Sequence, residues 1–330
     1  MNLKDKKILF IGPVTYNYHV EIYNELVNMG AKVDFFGENT LSLVYRVLKK
    51  TSNSLCSHYI NIFRKKIEKK IDRNQYNYIF VIRGDFLSID FLEKIKRKQP
   101  TAKFLMYQWD SVKVFNYLNL IEVFDKVYSF DPEDCKQYDF EYLPLFYDND
   151  YKNLRSSTDK STAIDLLFIG SLHSDRLEVL KKLDIQAKQY NLKTKFFLFI
   201  PFFTFLKNII FNKNFKYKKS YMIFKSLNKS AVLDLFSKSK VIVDINNINQ
   251  SGLTIRTIEA LGAGKKLLTT NKSVLKNDFY HTQNIALIDR KNPKINLDFL
   301  NQSYIYTDNT KLSINNFIKK IFLPNYTRVG

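Results

Sequence analysis

The segment between Val241 and Thr270 constrains the fold more than any other part of this 330-residue chain. It opens with Val241-Ile242-Val243-Asp244-Ile245, an apolar run that reads as a buried strand. Ser251 and Gly252 then open a helix, Ala260 to Gly264 close it with two glycines, and Lys266–Thr270 supplies a second apolar strand. A strand–loop–helix–strand unit of this kind sets a helix N-terminus beside a sheet edge. Its unpaired N–H groups and positive dipole end suit an anionic ligand such as a diphosphate. Glu259 stands two turns into the helix, where a carboxylate could accept hydrogen bonds from a ribose.

The same alternation runs through the rest of the chain. Lys7–Ile11, Lys32–Phe36, Tyr78–Ile82, Lys103–Tyr107 and Lys126–Ser129 read as short strands, with helices between them at Val20–Met29 and Phe91–Lys98 among others. The pattern restarts with Ile164–Ile169, a helix near Arg176–Gln189, and Thr194–Ile200, then resumes at Lys240–Ile245. This predicts an α/β protein with parallel sheets wrapped by helices. A polar segment, Asp148–Thr162, reads as the linker between a domain over 1–150 and a second over 151–330.

Gly252, Glu259 and the small-residue close Gly262-Ala263-Gly264 resemble the donor-site motif of the GT-B glycosyltransferases of the bacterial surface-polysaccharide (group 1-like) type. Those enzymes consist of two Rossmann-like domains facing across a cleft. The resemblance implies an N-terminal acceptor domain, a C-terminal nucleotide-sugar donor domain, and a last helix, Ser313–Phe322, that packs back on the first domain. It implies that Glu259 holds the nucleotide ribose and that the loop Gly170-Ser171, with Arg176 beyond it, faces the donor diphosphate. Ser251, Gly252, Thr254, Arg256 and Lys265 complete the expected donor-binding set. Many members carry a second Glu eight positions before the ribose Glu; Ser251 stands there in this chain, so no anomeric outcome follows.

In the first domain, Gly12 ends the first strand and is expected to border the acceptor. Asp85 and Asp110 follow two later strands, so each carboxylate could reach an acceptor hydroxyl as general base. His19, beyond the first strand, is a third candidate base, and Trp109 could stack on a sugar or a lipid-linked group. His173 reads as a surface loop histidine.

Composition excludes several classes. Cys56 and Cys135 stand far apart and offer neither a disulfide framework nor metal spacing, which suits a cytoplasmic protein. Asp148-Asn149-Asp150 imitates a metal-binding D-x-D but falls in the expected linker. Gly264-Lys265 imitates the end of a phosphate loop, but Glu259 stands where its first Gly belongs. No metal and no cofactor are expected. The basic residues before Ile8–Ile11 imitate a signal peptide, but the apolar run is too short.

The formal net charge of +20 is uneven: residues 1–150 carry +2 and residues 151–330 carry +18. The second half is therefore expected to face something anionic. The nucleotide-sugar donor is one such partner; an anionic membrane surface is another. The stretch Lys195–Lys229 holds eight lysines, eleven Phe or Tyr residues and no acid. In it Phe202, Leu206, Ile209 and Ile210 can share one helix face, the pattern of a helix lying in a membrane interface at the inner face of the cell. The function expected is sugar transfer to a hydroxyl of a surface glycan or lipid-linked precursor. The alternatives are a sugar-nucleotide epimerase on the same fold, or a basic nucleic-acid-binding protein. The last rests on charge alone, since no nucleic-acid-binding signature is present.

Overall fold

A computed structural model describes residues 3–14, 17–156, 163–213 and 215–323. The chain divides into two compact units: Met1–Pro144 with Ile314–Gly330, and Leu145–Ser313. The end of the expected linker, 157–162, lies outside the described residues.

The first unit runs β1 (Lys7–Pro13), α1 (Tyr18–Asn28), β2 (Lys32–Glu38), α2 (Leu43–Thr51), α3 (Asn53–Ile71), β3 (Tyr78–Ile82), α4 (Ile89–Lys98), β4 (Lys103–Gln108), β5 (Lys126–Ser129), α5 (Pro132–Tyr138) and β6 (Glu141–Tyr142). The second runs α6 (Asn149–Ser156), β7 (Ile164–Ser171), α7 (Arg176–Gln189), β8 (Thr194–Phe199), α8 (Phe202–Phe211), β9 (Met222–Ile223), α9 (Lys229–Ser237), β10 (Ser239–Asp244), α10 (Ile255–Gly262), β11 (Lys266–Thr269), β12 (Ile285–Leu287) and α11 (Leu297–Asn301). The closing helix, α12 (Ile314–Phe322), belongs to the first unit.

Each unit is built on a six-stranded sheet, in the order β2-β1-β3-β4-β5-β6 in the first and β12-β11-β10-β7-β8-β9 in the second. Every neighbouring pair is parallel. Parallel neighbours cannot be joined by tight hairpins, so helices carry the chain across and cover both faces. That coverage explains the apolar runs: Ile8–Ile11, Ile79–Ile82 and Val241–Val243 are fully buried. The second sheet has the strand order of a dinucleotide-binding fold. The direction of winding reverses between β7 and β10 there and between β1 and β3 in the first sheet, and such points open a crevice at the strands' carboxyl ends.

α12 docks on the first unit by one apolar face, with Ile314, Phe317, Ile318, Ile321 and Phe322 buried. Phe317 meets Tyr107 edge-on at 4.7 Å between ring centres, and Phe322 meets Tyr78 and Phe80 at 5.1 and 5.2 Å. Each such side chain contributes roughly 1.5–3 kcal/mol by leaving water, so the helix is an integral part of that unit's core.

The polar stretch expected as a linker folds instead, as far as it is described, into α6. Asp148 accepts from the N–H of Asp150 at 2.9 Å and so starts the helix. Lys229 then ion-pairs with both Asp148 and Asp150, so those carboxylates answer a lysine of their own unit. Among the described residues, no helix is long and apolar enough to cross a membrane.

Candidate functional site

In the second unit the site grows from the end of β7. Gly170 lies where a Cβ would come within 2.8 Å of the Phe168 ring and 3.1 Å of an Arg176 Nη atom, so only glycine leaves room for that guanidinium. Arg176, the first residue of α7, turns back across the winding reversal. Its Nε donates to the Ile245 carbonyl at 2.8 Å and its Nη1 to the Ser171 carbonyl at 3.0 Å, tying the ends of β7 and β10 together. Both acceptors are neutral. Among the described residues, Arg176 forms no ion pair with a carboxylate.

Burial pushes Arg176 down to about 10; nearby Asp244 opposes the shift, while Arg290 and Arg256 deepen it. His173, half-buried in the loop after β7, reports the same field. Burial first, then Arg176 and Arg290, push it down to about 4, so its ring is neutral near pH 7. Its Nδ1 lies 3.0 Å from the Ser174 hydroxyl.

Arg290 escaped the sequence reading. It follows β12 and grips Asp175 with two nitrogens, at 2.9 and 2.7 Å. The same guanidinium donates to the Asn246 side chain and carbonyl, both at 2.8 Å, and to the Thr270 hydroxyl at 3.1 Å. One arginine thereby fastens the ends of β10, β11 and β12 to the loop after β7. The signal that could have found it is its position, three residues past a short strand end, where parallel sheets place ligand contacts.

The helix expected to open at Ser251-Gly252 starts later, at Ile255, because the Thr254 side chain caps the N–H of Thr257 at 3.1 Å. Gly252 is buried, and its carbonyl accepts from Asn271 at 2.8 Å; Ser251 is half-buried. Arg256 is in the first turn and ion-pairs with Glu259 at 2.7 Å. Glu259 is only 2% exposed and also takes the Tyr151 hydroxyl as a partner. Burial, then that carboxylate, hold the Tyr151 phenol well above its ordinary range. The expected ribose ligand is thus an interior carboxylate between an arginine and a tyrosine.

Lys265 does not belong to this group. α10 runs against the strands, so its C-terminus lies at the strands' amino ends, away from the crevice. There Lys265 Nζ donates to the Ser237 and Ser239 carbonyls, each at 2.9 Å. The small-residue close has a packing origin as well: a Cβ at Gly262 would come within 2.4 Å of the Tyr147 ring.

The first unit gathers acids at its strand ends. Arg83 ends β3 in a left-handed conformation, φ 66°, which costs a non-glycine residue on the order of 1 kcal/mol. Its guanidinium repays this by holding Asp85 with two nitrogens, at 2.9 and 3.0 Å, and by binding Asp110 Oδ2. It also lies over the Phe115 ring at 4.3 Å. The two candidate bases therefore share one arginine. Neither caps the helix that follows Asp85: Ser88 caps α4.

Glu38, at the end of β2, also escaped the sequence reading. It is fully buried and accepts from the Asp85 and Phe86 N–H groups at 3.1 and 2.7 Å. Burial pushes its carboxyl up to about 8 against the pull of the Phe86 N–H. Gly12 is buried and pairs in register with Gly37. Trp109 is half-buried and meets Tyr18 edge-on at 6.5 Å. His19 stacks on Phe35 at 5.2 Å, and burial lowers its pKa.

No family model matches the chain, and no curated protein sequence matches it. Its fold does match solved structures. An alpha-glucosyltransferase in complex with UDP and a 13-mer DNA superposes with a TM-score of 0.59 at 11% identity, covering 96% of this chain and 95% of that one. A UDP-GlcNAc 2-epimerase from Methanocaldococcus jannaschii gives 0.54 at 10%, with 96% and 99% covered. The N-terminal domain of a Candida albicans trehalose-6-phosphate phosphatase gives 0.52 at 10%, with 98% and 95% covered. At these identities the likeness concerns the fold: the chain has the GT-B-type architecture of two Rossmann-like domains.

Proposed function

We propose that this chain is a glycosyltransferase that takes a nucleotide-activated sugar on its second unit and delivers the sugar to a hydroxyl of a glycan or lipid-linked acceptor. One observation carries the reading. Arg176 sits half-buried at the winding reversal, its hydrogen bonds spent on neutral carbonyls, with Arg256 and Arg290 close enough to depress its pKa. A cation held in that way is stabilised by an arriving anion, and a guanidinium suits a diphosphate because it binds two oxygens at once.

In this reading Arg176 takes up the negative charge that develops on the leaving nucleoside diphosphate. The backbone of Gly170 and Ser171 lines the same loop. Ser251, Gly252, Thr254 and Arg256 would flank the nucleotide, with Glu259 acting through Arg256. Asp110 is the preferred base. Asp85 is the more deeply buried of the pair and holds Arg83 with both oxygens, while Asp110 reaches it through Oδ2. Gly12, Trp109 and His19 remain assigned to the acceptor side.

Calorimetry against a panel of nucleotides and nucleotide sugars tests the reading. At least one nucleoside diphosphate sugar should bind, and Arg176→Ala should weaken it. If none binds, the assignment fails. A second reading, a sugar-nucleotide epimerase, is favoured by the fold shared with the UDP-GlcNAc 2-epimerase. Turnover of a bound donor in the complete absence of acceptor would select it.

A further inference from the structure

Helix α8 is built inside out. None of its ten residues is buried. Phe203 is 79% exposed, Phe211 78%, Ile210 60% and Phe202 51%, and Leu206 and Ile209 are exposed as well. Thr204 and Asn208 turn the other way and line a cleft of about 480 Å³ against Ser171 and His173 at the end of β7. Apart from Phe205, which packs inward, the uncharged polar residues face the protein and the apolar ones face out, the reverse of an ordinary surface helix.

The helix is nevertheless well anchored. Phe205 packs against Phe215, Tyr217 and Phe224 at 5.8, 5.1 and 5.0 Å between ring centres. A continuous apolar ridge on a fixed element marks a surface that something covers. Its surroundings say what. Lys207, Lys213, Lys219 and Lys225 are exposed in the same stretch, and no acidic residue occurs from Lys195 to Lys229. Three lysines of the stretch are committed elsewhere: Lys216 to Glu178, Lys218 to Asp184, and Lys229 to Asp148 and Asp150.

We propose that α8 and these lysines form a docking surface for an anionic lipid bilayer. Phe203, Ile210 and Phe211 enter the interface and the lysines meet lipid phosphates. A bilayer offers the required pair of properties together, negative charge at the surface and hydrocarbon just beneath it. A second copy of the chain fits less well, since joining two such faces would press two sets of lysines together. The inference stands independently of sugar transfer and of the donor site.

The experiment is co-sedimentation of the full chain with vesicles of phosphatidylcholine alone and of phosphatidylcholine mixed with phosphatidylglycerol. Two variants accompany it: Phe203→Ser with Ile210→Ser and Phe211→Ser, and Lys213→Glu with Lys219→Glu. All five positions are exposed, and thermal melting and light scattering check fold and oligomeric state. The wild type should prefer the anionic vesicles by about tenfold or more at low salt, and each variant should lose most of that preference. Failure of the wild type to sediment with anionic vesicles overturns the proposal. So does unchanged binding by a folded serine variant, or a wild-type dimer that the serine variant converts to monomer without any vesicle binding.

Discussion

The two units solve the same architectural problem and charge it oppositely. Both close a parallel six-stranded sheet with polar groups at the strands' carboxyl ends. In the first, Asp85 and Asp110 share the guanidinium of Arg83, and Glu38 sits beneath them on the Asp85 and Phe86 N–H groups. In the second, Arg256 is matched to Glu259 and Arg290 to Asp175, and Arg176 is left on backbone carbonyls. The scaffold therefore fixes where a ligand can be met, and a handful of strand-end residues fix its charge. An acid-rich end suits work on a hydroxyl; an arginine held without a carboxylate suits an anion.

The sharpest way to break this contrast is Asp110→Asn. If the first unit supplies the base, turnover should fall by about 10²–10⁴ while the donor dissociation constant holds, because the changes, loss of the base and of the Arg83 pairing, are confined to the first unit. Single-turnover rates with parallel calorimetry decide it. A changed donor affinity with normal turnover would move Asp110 out of that role.

Next in size is Glu259→Ala. Removing the buried partner strands the Arg256 charge and leaves the Tyr151 hydroxyl without its acceptor, so urea unfolding should show a loss of roughly 3–5 kcal/mol. A variant of full stability and weak donor binding would instead make Glu259 a direct ligand contact.

Arg176→Ala should weaken the donor by about tenfold to a hundredfold, the value of a charged hydrogen bond of roughly 1.5–3 kcal/mol. Arg176→Lys should recover only part of it, since an ammonium cannot hold two oxygens in a fork. Full recovery by lysine would reduce the site to a point charge.

The last effect is a slope, small per pH unit although it accumulates across the window. Glu38 stands near 8 in the folded chain against an ordinary 4.5, so between those values the folded state keeps a proton that the unfolded state releases. Stability should therefore fall as pH rises through that window, by at most about 1.4 kcal/mol per pH unit, and level off above it. Glu38→Gln should flatten the slope in denaturant titrations at several pH values. An unchanged slope would show that Glu38 is not its source.

Much of the fold was legible because its strands are buried on both faces and read as apolar runs. β3, β5 and α7 fall on the residues expected. The two-residue strands β6 and β9 and the three-residue β12 were not legible, because so few residues carry no periodicity. The start of α10 was misread because Ser251-Gly252 looks like a helix opening, whereas the cap actually used is Thr254. The linker was misread because Asp148 is a good helix start whose lysine partner lies far along the chain.

Within the site, Arg176 could be read from sequence because its Gly-Ser loop is local to it. The sequence also determined the basic second half and the apolar, lysine-rich stretch that became α8. Only the tertiary structure decided that α8 turns its apolar side outward, that Lys265 sits at the wrong end of the sheet, and that Glu259 is buried. It alone brought Arg290 to Asp175, 115 positions away, and Glu38 to the turn after β3. The physical reason is one of range. Hydrophobic period and capping act within a few residues, whereas an ion pair or a buried carboxylate depends on which distant strand ends the sheet order makes neighbours.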